Sequence, residues 1–161
     1  MTHDMNRRII KQSDELKEVF EYFNGFHDGF LKSIKIMSGN KFSQNPTWDK
    51  RQTNTSNEER LHNTGLWIVE KKGLFIEIHH YNYDWPNKLS SNRIILYLKN
   101  VRNIDPNIVQ MVGESIIDCE VLNETSGLGL IFTFSVFVDK KVECVRMKPL
   151  TCEMIAIQEK S

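Results

Sequence analysis

Residues 128–138, which read LGLIFTFSVFV, carry a regular alternation of side chains. One side of an extended chain here is wholly apolar and consists of Leu128, Leu130, Phe132, Phe134, Val136 and Val138. The other side is half apolar, because Ile131 and Phe137 lie beside Thr133 and Ser135. A period of two in β-branched and aromatic residues predicts a β-strand. The second side indicates a central strand that is covered in part on both faces.

Residues 14–24 instead repeat their apolar positions at helical spacing, with one stripe formed by Leu16, Val19, Phe20 and Phe23. Ser13 is the predicted N-cap, and Asn24-Gly25 supplies a left-handed end to the helix. The stripe must be buried, and the predicted sheet offers the only large apolar surface. We therefore expect this N-terminal helix to pack on the sheet.

Seven further runs read as strands, at residues 30–37, 66–70, 74–81, 93–99, 116–122, 142–147 and 151–157. Residues 66–70 and 74–81 are predicted to form a hairpin about Lys71-Lys72-Gly73. Asp105 followed by Pro106 predicts a short helix over 106–112. Tight turns require antiparallel neighbours, so the sequence predicts an α+β fold with a large antiparallel twisted sheet or open barrel of about eight strands.

A long polar loop, 38–64, interrupts the pattern, with Trp48 among its few large apolar residues. A loop of this length is uncommon in a compact domain, so it is either disordered or used for binding. The length of 161 residues nevertheless predicts a single domain over residues 1–161.

The charge balance excludes the usual nucleic-acid binder. Lys plus Arg and Asp plus Glu both number 21, so there is no basic excess to replace phosphate counterions. The start of the chain has no apolar run behind its positive charges, and no run approaches the roughly 20 residues of a membrane span. We expect a cytoplasmic protein with no nucleic-acid or membrane partner.

The three cysteines, Cys119, Cys144 and Cys152, lie in apolar runs without the CxxC spacing of a zinc knuckle. We expect all three to be buried thiols that act as small hydrophobes. A turn at Lys148-Pro149 would place Cys144 and Cys152 nearly opposite each other on paired strands.

Two polar clusters are candidate sites, and the first is His27-Asp28, between the helix and the next strand. The two residues are either metal ligands, or a His27 base that the Asp28 carboxylate orients, or part of a turn that Gly29 closes. The second cluster spans residues 77–85, where Glu77, His79, Tyr81 and Tyr83 share one face, with Asp84 and Trp85 beyond. This face is a solvated strand surface, a binding surface, or a site for a divalent metal such as zinc with Glu77 and His79 as ligands.

An acidic string at Glu114, Asp118, Glu120 and Glu124 has no second environment of the kind that a pair of catalytic carboxylates requires. We interpret it as a solvated outer face. Phosphate-loop, dinucleotide-binding, GxSxG and HExxH motifs are absent from the sequence.

The segment FHDGFLKSIKI, at residues 26–36, resembles a pattern in small bacterial proteins in which a helix runs into an aromatic-His-Asp-small motif and a strand. Some of these are assigned as immunity proteins of polymorphic toxin systems. The resemblance implies a cytoplasmic, non-enzymatic protein that binds and neutralises a partner toxin. The positions that it carries over are His27 and Asp28, without a role for either.

The leading hypothesis is therefore a binding protein of the immunity type, without a cofactor. Its candidate partner contacts are Trp48, Tyr81, Tyr83 and Trp85, because Tyr and Trp are enriched at interface hot spots. The alternative is a metal-binding protein or metal-dependent enzyme that uses Glu77 and His79 with His27 or Asp84. The oligomeric state is left open by the sequence.

Overall fold

The computed structural model describes residues 7–38, 41–42, 66–67, 72–84, 88–124 and 126–160, with the side chains of 41–42, 66–67, 81–84 and 88–92 left out of the description. The strands are β1 (Arg8–Ile10), β2 (Phe30–Ser38), β3 (Lys41–Phe42), β4 (Leu66–Trp67), β5 (Lys72–Asp84), β6 (Lys88–Val101), β7 (Ser115–Leu122), β8 (Leu128–Val138), β9 (Lys141–Arg146), β10 (Leu150–Cys152) and β11 (Met154–Lys160). The helices are α1 (Ser13–Tyr22) and two short 3-10 helices, Asn24–Phe26 and Pro106–Met111.

Nine of these strands form one antiparallel sheet in the order β1-β11-β6-β5-β2-β7-β8-β10, and β9 also pairs with β8. The predicted α+β class is confirmed. The sheet curls until β10 meets the chain just after β6, where the Arg102 N–H donates to the carbonyl of Thr151 at 2.8 Å. Among the described residues, no helix has the length and apolarity needed to cross a membrane.

The core lies on the inner face of this sheet. Helix α1 buries Leu16, Val19 and Phe20 there, as its apolar stripe predicted. Strand β8 contributes Leu128, Leu130, Phe132 and Phe134, all at most 1% exposed. The alternation along β8 is therefore confirmed, and Ile131 is buried on its second face as well. Val138 is exposed, because the end of β8 extends past β7.

Strand β8 is less central than its pattern indicated. The middle of the sheet is formed by β5 and β2, and β8 lies close to one end of the strand order. Its free edge is filled by two successive strands, since β10 pairs with Leu128 to Leu130 and β9 with Thr133 to Val138. Cys144 and Cys152 consequently both lie beside β8 and are not opposite each other. Cys119 and Cys152 are buried, but the prediction was wrong for Cys144, which is exposed.

The hairpin predicted from residues 66–70 and 74–81 does not form. Strand β5 has β2 on one edge and β6 on the other, whereas β4 pairs with β3 in a separate two-stranded sheet.

Strand β1 was missed because three residues are too short to show a period. The predicted run over residues 151–157 is divided by Glu153 into β10 and β11. Apart from Ser38 and strand β3, the polar loop 38–64 lies outside the described residues, and so does Trp48.

The helix ends differ from the prediction in part. Ser13 is the first helical residue, and Gln12 precedes it without a side-chain capping bond. The helix ends at Tyr22, after which the chain turns through the 3-10 helix Asn24–Phe26. The short helix predicted after Asp105 is confirmed. The Asp105 carboxylate accepts a hydrogen bond from the Asn107 N–H at 3.0 Å at the start of the 3-10 helix Pro106–Met111.

We predict that Phe134→Ala lowers the free energy of unfolding by about 3–5 kcal/mol, because the side chain is wholly buried and its loss leaves a cavity. The matched control is Phe137→Ala in the same strand, where the ring is 69% exposed and the loss should stay within about 0.5 kcal/mol. Urea denaturation of dilute protein measures both. Equal losses for the two variants would contradict the assignment of the inner face.

Candidate functional site

The hairpin formed by β5 and β6 extends beyond the strands on either side of it. The last partner of β5 in β2 is Phe30, opposite His79, and the last partner of β6 in β11 is Lys160, opposite Arg93. Beyond that level, within the described part of the chain, the two strands pair only with each other, from His80 opposite Asn92 to Asp84 opposite Lys88. We call this two-stranded part, residues 80–84 and 88–92, the ribbon. Tyr81 and Tyr83 lie in its first strand, and Trp85 lies outside the described residues.

A polar network lies at the base of the ribbon on the outer face of the sheet, and Glu77 is at its centre. The Arg93 Nε lies 2.9 Å from one carboxylate oxygen of Glu77, and the Ser33 hydroxyl donates to the other at 3.3 Å. The His79 Nε2 lies 3.5 Å from the first of these oxygens. Register explains the grouping, because Glu77 is directly opposite Ser33 and His79 is directly opposite Arg93.

The ring of His79 also contacts Phe30, with ring centroids 5.3 Å apart. These side chains are neither buried nor fully solvated: those of Glu77 and His79 are each 26% exposed, and that of Arg93 is 48% exposed. Glu77 contacts Arg93, Ser33 and His79, and His79 also contacts Phe30. The outer face therefore presents charged and aromatic groups that contact one another.

His27 and Asp28 lie in a tight turn at the start of β2. Positive φ angles at Asn24, Gly25, Phe26 and Asp28 bend the chain sharply after α1. Next in the chain, a Cβ atom at Gly29 would lie 3.0 Å from the carbonyl oxygens of Phe26 and His79, so the turn packs tightly against β5. This is the turn that the sequence suggested, closed by Gly29.

The turn holds the His27 ring against the main chain of β7. The His27 Nδ1 lies 2.8 Å from the carbonyl oxygen of Ile117, which fixes this nitrogen as the protonated donor. The His27 Nε2 lies 3.6 Å from the Asp28 carboxylate, and both side chains are about half exposed. The imidazole is thus oriented by the backbone, and its other nitrogen faces a carboxylate at the protein surface.

His80 is the residue at this site that the sequence analysis did not include among its candidates. It follows Leu74, Ile76 and Ile78 on the inner face of β5, opposite to His79. Burial lowers the pKa of His80, although a hydrogen bond with the His27 main chain and the nearby Asp28 carboxylate act in the other direction. Its Nε2 is buried and has no partner among the described residues. The alternation in β5 was the signal for this position, but only the fold brings it to His27.

The structure thus brings the predicted polar residues to one end of β5, on two faces. Glu77 and His79 belong to the outer network, while His27 and Asp28 lie near His80. In the described part of the chain, no three His, Cys, Asp or Glu side chains converge in a way that could hold a metal ion. The carboxylate of Glu77 forms an ion pair with Arg93. The side chain of Asp84, the fifth candidate, is outside the described side chains.

The acidic string lies mostly on the outside, as expected. Asp118, Glu120 and Glu124 are exposed, and the Arg146 guanidinium lies 3.3 Å from the Glu120 carboxylate across the sheet.

Cys119, on the opposite face of the same strand, is fully buried, and burial raises the pKa of its thiol well above its ordinary value. Burial likewise raises the pKa of Cys152 to about 12. Both thiols therefore act as packing groups.

Comparisons with protein-family models, curated proteins and solved structures find no match to this chain.

We predict that His80 makes the stability of the protein depend on pH. Because its folded-state pKa lies below its ordinary value of 6.5, the unfolded chain takes up the proton first as the pH falls. The stability that His80 contributes is complete above about pH 6.5 and is lost as the pH falls towards the folded-state pKa. Between about pH 7.5 and 5, wild-type protein should lose more unfolding free energy than the His80→Gln variant. Parallel curves of stability against pH would contradict this.

Proposed function

We propose that this protein is a non-enzymatic binding protein whose partner is another protein, and that it contacts this partner with the ribbon. The observation that carries the proposal is the length of the hairpin beyond its neighbours, from the pair His80 and Asn92 to the pair Asp84 and Lys88.

An isolated two-stranded ribbon is only marginally stable in water, because neither edge is paired and little apolar area is buried. Contact with a second protein would stabilise such a ribbon by burying more of its surface. It would use the tyrosines in the ribbon for packing, since Tyr is enriched among the residues that dominate binding energy. No other described strand pairs with the edges of the ribbon, and these edges would add main-chain hydrogen bonds to an extended segment of the partner.

The network at the base of the ribbon suits the rim of such an interface. Glu77 and Arg93 present opposite charges that are already paired with each other, and His79 and Phe30 provide a half-exposed aromatic surface. Polar groups at a rim contribute mainly to specificity and association rate.

The segment that resembles immunity proteins forms the turn and strand beside this surface. Its motif Phe26-His27-Asp28-Gly29 is the tight turn against β5, and the rest of the segment is β2. This position favours a partner toxin as the protein that the ribbon binds, and neutralisation in the cytoplasm as the outcome. In that reading His27 and Asp28 act at the edge of the interface, where both are half exposed.

The test is affinity capture from the source cells with wild-type protein and with the double variant Tyr81→Ala/Tyr83→Ala. A partner that wild type retains should bind the double variant about tenfold more weakly or worse, the equivalent of 1.4 kcal/mol. Co-expression of the identified partner then shows whether wild type relieves its toxicity and the double variant does not.

Tyr22→Ala is the matched control, because Tyr22 is a 62% exposed tyrosine on α1. It should bind the partner as wild type does. Equal binding by the double variant and wild type would contradict the role of the ribbon. A captured partner that is not toxic when it is expressed alone would leave the binding role but contradict neutralisation.

A further inference from the structure

The two most exposed large apolar side chains of the described residues lie opposite each other. Phe137 in β8 is 69% exposed and Val142 in β9 is 67% exposed, and the two are cross-strand partners on the outer face. The two-residue turn Asp139-Lys140 connects these strands, and both residues have positive φ, as a type I′ turn requires. The two side chains form a small apolar patch near the end of this hairpin, and such a patch is a candidate contact surface when a complementary strand can cover it.

Strand β9 also has an unpaired edge in the described structure, because it pairs only with β8. Hydrogen bonds alternate along an antiparallel strand, and the Met147 N–H donates to the Phe132 carbonyl at 2.9 Å. Odd-numbered residues in β9 therefore bond to β8. The N–H and C=O groups of Val142 and Cys144 point away from the sheet and are available to another strand.

The charges along β9 select the strand that fits this edge. Lys141 and Glu143 flank Val142, and all three are exposed. Read in reverse, the same three residues give the opposite order of charge. A second copy that runs antiparallel about a two-fold axis at Val142 therefore places each Lys141 opposite a Glu143. A lone lysine on an edge strand discourages pairing, whereas this arrangement is complementary to itself.

The neighbouring registers fit less well. An axis through Glu143 would place two carboxylates directly opposite each other, which is unfavourable. An axis through Cys144 would place Lys141 opposite Met147 and leave the charges unmatched. The axis at Val142 alone also joins Phe137 and Val142 of both copies into one apolar row.

We propose that the protein forms a homodimer in which β9 of two copies pair antiparallel about Val142. Each Val142 exchanges two main-chain hydrogen bonds with its copy, and Lys141 pairs with Glu143 of the partner on both sides of the axis. This interface is separate from the ribbon, because β2, β7 and β8 lie between β5 and β9 in the sheet. It does not depend on the proposed toxin partner.

A charge exchange tests both the dimer and its register by sedimentation velocity over a range of protein concentrations. Lys141→Glu and Glu143→Lys should each raise the dissociation constant about tenfold or more, because like charges then face each other. The double variant Lys141→Glu/Glu143→Lys should restore the homodimer. A mixture of the two single variants should form a heterodimer, since each supplies the charges that the other lacks.

Val142→Lys should abolish the dimer, while the control Val109→Lys should not, because Val109 is a 50% exposed valine on the short helix Pro106–Met111, which is not part of the proposed strand pairing. Circular dichroism and thermal melts establish that each variant is folded. A wild-type protein that stays monomeric at high concentration would overturn the proposal. So would a charge exchange without rescue, or rapid formation of a Cys144 disulfide between copies, which requires the axis at Cys144.

Discussion

The alternation of side chains across a strand controls this structure, because most of the core is built on one face of the sheet. Ile78 is wholly buried on that face, and this position forces His79 outward and His80 inward. A shift of one residue in the register of β5 would exchange all three environments. The chemistry at the end of β5 therefore follows from the packing of the core.

The sequence predicted the strands better than their partners. The apolar positions of β8 and α1 were correct because each pattern is local and is enforced by burial. The pairing of β5 was not local: its run was equally compatible with a hairpin to residues 66–70 and with a place between β2 and β6. Which strands pair with β5 depends on how all the strands of the sheet pair with one another, and no single run of residues contains that information. The seven residue pairs between β6 and β11, from Lys99 to Arg93, are likewise set by the fold.

At the site, the sequence correctly placed Glu77 and His79 on one face, and a turn at His27 and Asp28 was one of its interpretations of that pair. It did not supply Arg93 and Ser33, which reach Glu77 through the registers of two different strand pairs. It also did not bring His80 to His27, because that contact depends on four positive φ angles in the preceding turn. Asn24-Gly25 signalled a turn, but not the direction in which the chain leaves it.

The pairing of β1 with β11 has a consequence for the order in which the chain folds. Arg8 lies opposite Ile157, so the first described strand finds its partner only after β11 has been synthesised. Until then β6 has an open edge, and the apolar row Ile94, Leu96 and Leu98 lacks the strand that borders it in the finished sheet. Contacts between such distant residues are expensive in loop entropy and slow folding. During synthesis the nascent chain therefore leaves this edge of β6 unpaired until β11 is complete, and an unpaired apolar strand edge favours aggregation.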